Sequence, residues 1–402
     1  MRVIVLGAGV VGVTTAYYLS QLGCTVTVVD RADEAGDGAT FGNAGQLSYS
    51  FTDALAKPGF ISHLPAMILG RDQGSKVRLS PQLMHWGLRF LTQCTSRRAR
   101  ENTLSVLQLA MRSAGLIDEI QQQVPLEFHY RTAGKLVLLS NENELANARA
   151  SCELKQQYGC NARVLSREDT VKVEPALAGL REEFIAAVYS ESDEVADSQL
   201  FTVGLKNWLE QQGNVNFRLS SEADTLMTRD GRARGVIVGD EELEADAVVV
   251  CLGAWSGGFL RTAGINPHVL PARGYSITLP PGSASPEVSV TALKHKMVFS
   301  RINGFVRIAG FVDFTGFDTS ADDERARLLQ ETAEGFAPDA ADYGYGDAAV
   351  WGGFRPMTPS GQPQVGATSV PGLYTNVGHG MLGWTLACAT AYDAAQAVTH
   401  VH

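Results

Sequence analysis

The sequence predicts a mixed α/β chain in which a parallel-sheet unit is interleaved with a second unit rich in antiparallel strands. Three observations carry this. A β-branched strand, Val3 to Leu6, runs straight into Gly7-Ala8-Gly9-Val10-Val11-Gly12; a second glycine-rich strand-to-helix passage lies in the last fifty residues; and strand patterns dominate from Pro267 to Val312. With no internal repeat and no linker-like tract between these regions, the two units are expected to exchange segments rather than follow one another.

The chain has 402 residues, 45% of them apolar and 19% charged, enough to bury a large core. Its formal charge of -10 offers no general attraction to nucleic acid, which is excluded as a first reading. The six cysteines are scattered without a Cys-x-x-Cys pair or a histidine at ligand spacing, so neither a disulfide framework nor a metal site is expected. The opening Met1-Arg2 and apolar run contains three glycines and leads into an ordered pattern, so it reads as mature protein rather than a signal peptide. The longest later apolar run, Ala247 to Trp255, is less than half of the ~20 residues that a spanning helix needs. The protein is therefore expected to be soluble, or peripheral at most. Glycine, 41 residues, exceeds the usual ~7% and points to tight loops or close backbone approach to a ligand.

Val13 to Leu22 reads as a helix stopped by Gly23, and Val26 to Val29 as a second strand ending in Asp30. This order of strand, glycine turn, helix, strand and acid is Rossmann-like. Gly7 makes the turn, Gly9 lets backbone approach a pyrophosphate, Gly12 lets helix and strand pack, and Asp30 suits ribose hydroxyls. The motif alone does not separate NAD from FAD. The small-residue loop Ala39-Thr40-Phe41-Gly42-Asn43-Ala44-Gly45-Gln46 suits a long extended cofactor lying across it, or is an ordinary surface loop. Pro81 to Cys94 and Asn102 to Gln123 have helical spacing, and Ser198 to Gln212 is a helix closed by Gly213. Lys135 to Leu139, Phe217 to Leu219 and Ala247 to Cys251 read as strands, and Glu222 to Glu244 as a meander.

The C-terminal region holds Gly352-Gly353-Phe354-Arg355-Pro356-Met357-Thr358-Pro359, then the strand Leu373 to Asn376, then Gly378-His379-Gly380-Met381-Leu382-Gly383-Trp384 opening an apolar helix. A glycine-rich loop at a helix N-terminus is again suited to an anion.

Taken with Asn43-Ala44-Gly45-Gln46, Asp193 to Phe201 and Gly274-Tyr275-Ser276, these motifs resemble the small-subunit type of bacterial FAD-dependent D-amino acid dehydrogenase, within the D-amino acid oxidase and glycine oxidase superfamily. The resemblance runs from the first strand to about residue 398. It implies an FAD-binding domain of the glutathione-reductase type (1–50, 145–255 and 350–402) interleaved with a substrate domain (51–144 and 256–349). Gly42, Ser360 and Met381 depart from the expected alanine, aspartate and threonine.

The resemblance implies hydride transfer from the Cα of a D-amino acid to flavin N5, giving a 2-oxo acid and ammonium, with electrons passed to a quinone or other respiratory acceptor. Alternatives that share these motifs are a D-proline or hydroxy-D-proline dehydrogenase and an oxygen-using oxidase; a non-catalytic flavoprotein subunit need not keep Arg355 with Tyr275. Arg355 and Tyr275 match the groups expected on the substrate carboxylate, with Tyr49 and Met381 facing the substrate and His379 in a backbone or imidazole role. Noncovalent FAD is expected on Gly7, Gly9, Val10, Val11, Gly12, Asp30, Arg31, Thr40, Asn43, Ala44, Gly45, Gln46, Ala223, Gly253, Gly378, Gly380, Met381, Leu382 and Gly383. Trp255 and Trp384 read as pocket walls or core, and Arg273 as a solvated arginine or an added charge near substrate.

From Arg71 to Arg100 the chain carries seven basic residues and one acid, Asp72, beside the apolar stretch Phe60 to Leu69. This is a solvated helix face, or an interfacial patch that docks on anionic lipid to reach a quinone. A cytoplasmic protein, peripheral on the inner face of the membrane, is the corresponding expectation.

Overall fold

The computed structural model describes residues 1–400. The N-terminal motif folds as β1 (Arg2–Leu6), α1 (Val10–Gln21) and β2 (Thr25–Val29), α1 beginning at the glycine turn, three residues earlier than its apolar spacing indicates. Gly23, at φ +78, ends it in the left-handed conformation that glycine adopts without penalty. The first sheet has six strands in the order Gln364–Ala367, Leu373–Val377, Ala247–Val250, β1, β2, Val215–Arg218. All its pairings are parallel except the edge pair 364–367 with 373–377. Such strands are covered on both faces, which is why β1 and Ala247–Val250 read as unbroken apolar runs.

The helices α2 (Pro81–Gln93) and α3 (Ser96–Gln123) come just before the second sheet in the chain. The second sheet has eight strands. Three of them build the site: β3 (Leu270–Leu279), β4 (Phe305–Asp313) and β5 (Ala349–Met357), with β3 at their centre. Beyond β4 follow Met297–Ile302, Ser289–Ala292, Lys135–Leu139, Ala186–Ser190 and Arg163–Ser166. One pairing, 289–292 with 135–139, is parallel and the others are antiparallel. The expected mixed, largely antiparallel sheet is present. The chain closes with α4 (Gly383–Thr399), buried along most of its length against α1 and α3.

The sheets do not follow the expected boundaries. Strands 163–166 and 186–190, and β5, belong to the second sheet although 145–255 and 350–402 were assigned to the cofactor unit. Conversely α3 lies in the other unit's core, through Val106, Ala110, Ile117 and Ile120. The reason is that a strand's sheet is set by pairing partners distant in sequence, which a one-dimensional pattern does not carry.

Candidate active site

Between the two sheets runs one continuous cavity of about 2030 Å³, well above the ~300–1,000 Å³ of an ordinary small-molecule site. One end is the turn after β1. Gly7 has φ +108, and a Cβ there would lie 2.5 Å from the Cys251 carbonyl oxygen; a Cβ on Gly12 would overlap the Gly7 carbonyl. Gly12 therefore works by packing and does not line the cavity. Gly9 does line it, and a Cβ there would meet only the Thr40 hydroxyl, at 3.4 Å. Asp30 accepts from the amides of Ala8 (2.6 Å) and Ala32 (2.9 Å), fixing the loop while still facing the cavity beside Ala223. The Arg31 guanidinium lies 4.3 Å over the Trp255 ring, and both line the cavity.

The loop 39–46 crosses the second sheet. Ser276 donates to the Gly42 carbonyl (2.7 Å), Arg307 to the Asn43 carbonyl (3.2 Å), and Gln46 to the hydroxyls of Ser289 (2.6 Å) and Ser300 (3.1 Å). Trp351 packs so closely on Gly42 that an alanine would not fit, which explains that departure. Thr40 accepts from the Val10 amide at 3.1 Å, and the Asn43 side chain closes its own turn onto Gly45 N and Ser198. Ala44 and Gln46 line the cavity; Gly45 packs on Ile302 instead.

From Gln46, through the two-residue strand Gln46–Leu47 and the bend after it, side chains alternate. Gln46, Ser48 and Ser50 line the cavity, whereas Leu47 and Tyr49 enter the core. Tyr49, expected at the substrate, is thus turned away, its phenol donating to Glu194 at 2.7 Å. Lys135, missed by the sequence reading, lines the cavity; its ammonium donates to Ser48 (3.0 Å) and to Gln46, and burial lowers its pKa to about 8.

Gly253, after the strand Ala247–Val250, lines the cavity, as do Gly380, Met381, Leu382 and Gly383 at the start of α4, with Met381 57% exposed at its mouth. Gly378, at φ +84, packs on Thr358 and lies outside it. The His379 imidazole does not stand ready as an acid or base. It is buried with Nε2 3.0 Å from the Thr390 hydroxyl in α4, and burial lowers its pKa to about 4, so the ring is neutral at pH 7.

Arg355 lies flat across β3, over Gly274, where a Cβ would come 2.5 Å from Nη2. Its Nη1 donates to the Phe311 carbonyl at 2.6 Å. That carbonyl is aimed by a bulge: between the pairs 273–313 and 275–310, β4 has two residues, Phe311 and Val312, opposite the one residue of β3, Gly274, and Phe311 takes φ +59, a strained conformation for a bulky residue costing about 1 to 3 kcal/mol. Desolvation lowers the Arg355 pKa to about 10, partly offset by the Asp313 charge. The neighbouring arginines are neutralised. Arg273, far from being solvated, is buried with both prongs on Asp322, Nε at 3.2 Å, and Arg325 meets Asp313 at 2.9 Å. Among the described residues no carboxylate lies within 4 Å of Arg355. Tyr275, expected on the substrate carboxylate, touches the cavity wall but is 3% exposed: alternation along β3 turns its side chain to the face opposite Gly274, into the core beside Arg325, with its phenol donating to Asp313 at 2.9 Å.

The sequence profile of the FAD dependent oxidoreductase family matches residues 2–397. The chain belongs to that family. It is 40% identical over 403 residues to D-amino acid dehydrogenase 2 of Ralstonia nicotianae, covering 97% of this chain and 95% of the relative. With D-amino acid dehydrogenase of Dechloromonas aromatica it shares 36% over 411 residues, 99% and 97% of the two chains. Its fold is that of L-proline dehydrogenase from P. horikoshii (TM-score 0.76, 19% identity, 100% and 93% covered) and of glycine oxidase from Geobacillus kaustophilus (0.76, 18%, 99% and 95%).

As a family member the protein is an FAD-dependent oxidoreductase, and the residues present fit FAD. The N-terminal ends of α1 and α4 both reach the cavity; neither N-cap residue caps its helix with a side chain, neither first turn holds an acidic residue, and Thr40 takes only the Val10 amide of α1, so the positive ends are left largely open to an anionic ligand. The length of the cavity, from Arg31 and Trp255 past loop 39–46 to Arg355, accommodates an extended dinucleotide with a second ligand at the end. The six cysteines are free and buried.

Proposed function

We propose that the protein oxidises D-amino acids to 2-oxo acids and ammonium, with FAD held noncovalently along the cavity. The observation that carries this is Arg355: a guanidinium in a largely apolar cavity, without a carboxylate partner, beside two arginines that have theirs. A half-buried charge facing a largely apolar cavity without a carboxylate in contact is costly, and a substrate carboxylate removes that cost while fixing the substrate's orientation through two parallel hydrogen bonds. Bound FAD supplies the acceptor for the hydride leaving Cα. The chain's own part is positional. Arg355 holds the carboxylate, Gly274 gives the guanidinium its room, and the positive end of α4 favours added negative charge on the cofactor. An amine that binds neutral loses its N–H proton to water, and water hydrolyses the resulting imine. The similarity to proteins named D-amino acid dehydrogenase supports the substrate class.

The electron acceptor proposed is a membrane quinone. Helix α2 buries Trp86 and Phe90, with the indole N–H on the Met357 carbonyl at 3.1 Å, two residues from Arg355. Its other face exposes Met84, Leu88 and Leu91 at helical spacing, near Ile68, Leu69 and Leu79. Lys76, Arg78 and Arg97 are paired with Glu324, Asp318 and Glu101, while Arg71, Arg89, Arg98 and Arg100 have no carboxylate partner among the described residues. An apolar stripe rimmed by free arginines suits the surface of anionic lipid. The cavity lining continues to Phe60 and Met67 beneath this stripe, which supports entry of a lipid-soluble acceptor from a membrane's cytoplasmic face. No helix among the described residues is long and apolar enough to cross a membrane.

The test is anaerobic loss of the flavin's visible absorbance with a panel of D- and L-amino acids, D-proline, glycine and sarcosine, followed by reoxidation with a quinone analogue or oxygen. D-amino acids should bleach the flavin and their L-enantiomers should not, with quinone the faster oxidant. Bleaching by glycine or sarcosine alone, with fast reoxidation in air, would replace the proposal with an oxidase.

A further inference from the structure

The strand Lys135–Leu139 turns Leu136 and Leu138 into the core of the second sheet and Lys135, Val137 and Leu139 toward the cavity. A lysine is a costly residue for that row. It is almost fully buried, and among the described residues no carboxylate lies within 4 Å of its ammonium, whereas Lys155 and Lys296, which also line the cavity, are paired with Asp53 and Asp72. The groups that hold Lys135 are neutral and oriented. Gln46 donates its amide hydrogens to Ser289 (2.6 Å) and Ser300 (3.1 Å), so its oxygen is left to accept from the ammonium, and Ser48 Oγ accepts a second hydrogen at 3.0 Å. The Phe51 ring lies 5.1 Å from Nζ. Charged neighbours are few. The strands on either side place Ser289 and Ser190 at the register of Lys135, and Asp193 acts on it by charge without contact, its oxygens taken by the Ser50 amide (3.2 Å) and the hydroxyls of Ser50 and Ser190 (both 2.9 Å). The Lys155 ammonium is held on the Ser50 carbonyl at 2.8 Å.

The same loop ties Lys135 to α4. The Ser48 amide donates to the Thr385 hydroxyl, in the first turn of that helix, at 3.0 Å. In that turn the Trp384 indole N–H is buried without a hydrogen-bond partner among the described residues, and Trp384 lines the cavity. An unpaired ammonium, an orphan N–H and the positive end of a helix thus converge on one stretch of wall, and all three favour negative charge there. Arg355 belongs to another stretch, since four strands stand between β5 and the strand of Lys135.

We infer that the Lys135 ammonium is the counter-charge for the negative charge that bound FAD gains on reduction, and that Lys135 and the N-terminal end of α4 together raise the cofactor's reduction potential. This role rests on FAD occupying the cavity, whichever amino acid is oxidised. Two electrons and one proton leave the flavin one charge more negative than before. A protonated Lys135 offsets that charge, and a neutral Lys135 draws one further proton from solvent onto its amine. Burial lowers the Lys135 pKa to about 8, opposed by the Asp193 charge, so reduction takes up one proton per two electrons below that pH and two above it.

The test is the reduction potential of the FAD-loaded protein between about pH 7 and 9.5, with xanthine and xanthine oxidase as the electron source, read from flavin absorbance against a reference dye and without any amino acid. The wild-type potential should fall by about 30 mV per pH unit below about pH 8 and steepen toward about 59 mV above it, since each proton taken up with two electrons makes a tenfold change in proton concentration worth about 30 mV. Lys135→Met should keep the shallow slope throughout, and at pH 7 its two-electron equilibrium should shift at least tenfold toward the oxidised form, about 30 mV lower. Lys135→Arg should restore the potential at pH 7 without the break, because a guanidinium stays charged. A Lys135→Met potential and slope equal to those of wild type would overturn the inference. If Lys135→Met does not hold FAD, wild type against Lys135→Arg decides: a break near pH 8 that arginine removes supports it, and a single straight line in wild type, or a break that survives in Lys135→Arg, overturns it.

Discussion

Gly274 and Arg355 sit on paired strands with the guanidinium lying flat where a side chain at 274 would stand, 2.7 Å from Nη1 to the position of a Cβ. Gly274→Ala should push the guanidinium off the sheet rather than break the fold, since the atoms displaced are the far end of a flexible side chain. Substrate kcat/KM should fall by about ten- to a hundredfold with FAD content unchanged. Steady-state kinetics beside the flavin-to-protein absorbance ratio check both parts.

The glycines of the first turn should separate into two classes. Gly12→Ala forces a methyl into the Gly7 carbonyl and should destabilise the protein by about 1 to 3 kcal/mol or more, seen as a lower Tm even without FAD. Gly9→Ala meets only the Thr40 hydroxyl at 3.4 Å, so the apoprotein's Tm should hold while FAD affinity drops. Equal effects of both on the apoprotein would remove the distinction between packing and contact.

Burial of neutral His379 makes stability depend on pH. Its folded pKa of about 4 lies below the unfolded value of 6.5, so the unfolded chain takes the proton first; the contribution is complete above pH 6.5 and is lost as pH falls toward 4. The loss is about 3 kcal/mol over that window. Denaturant unfolding at pH 7 and pH 4 should show a smaller difference in His379→Gln than in wild type, and the variant should keep turning over at pH 7. Loss of turnover with FAD retained would assign the imidazole to catalysis.

Met84→Glu with Leu88→Glu should abolish sedimentation with anionic vesicles at low salt while leaving FAD content and turnover with a soluble dye unchanged, because both side chains point to solvent. Vesicle binding that survives the double substitution would move the contact elsewhere.

Individual residues show where the sequence is legible and where it is not. The Gly7 to Gly12 turn was readable because three glycines have three local steric tasks and the chain on either side of them is short. Tyr49 was misplaced by one step of alternation: a strand's inward face is legible only when its neighbours differ in polarity, and Gln46, Ser48 and Ser50 are polar residues facing a cavity, not solvent. Lys135 was missed because it sits in an apolar strand, Lys135 to Leu139, whose pattern marks a core rather than a site. Arg273 was misread because its partner, Asp322, is 49 residues away on the helix Asp322–Phe336. The expected boundary at 145 failed on strand pairing, which the fold alone reveals.

If Arg355 holds the substrate carboxylate in a cavity shared with FAD, Arg355→Met should slow the anaerobic bleaching of the flavin by a D-amino acid relative to wild type. The substitution should cost about 3 to 5 kcal/mol, a hundred- to several-thousandfold in the second-order rate, with FAD content preserved and Arg355→Lys recovering part of the loss. An Arg355→Met protein that loses FAD or unfolds while its surviving molecules bleach at the wild-type rate would make the arginine structural and remove it from substrate binding.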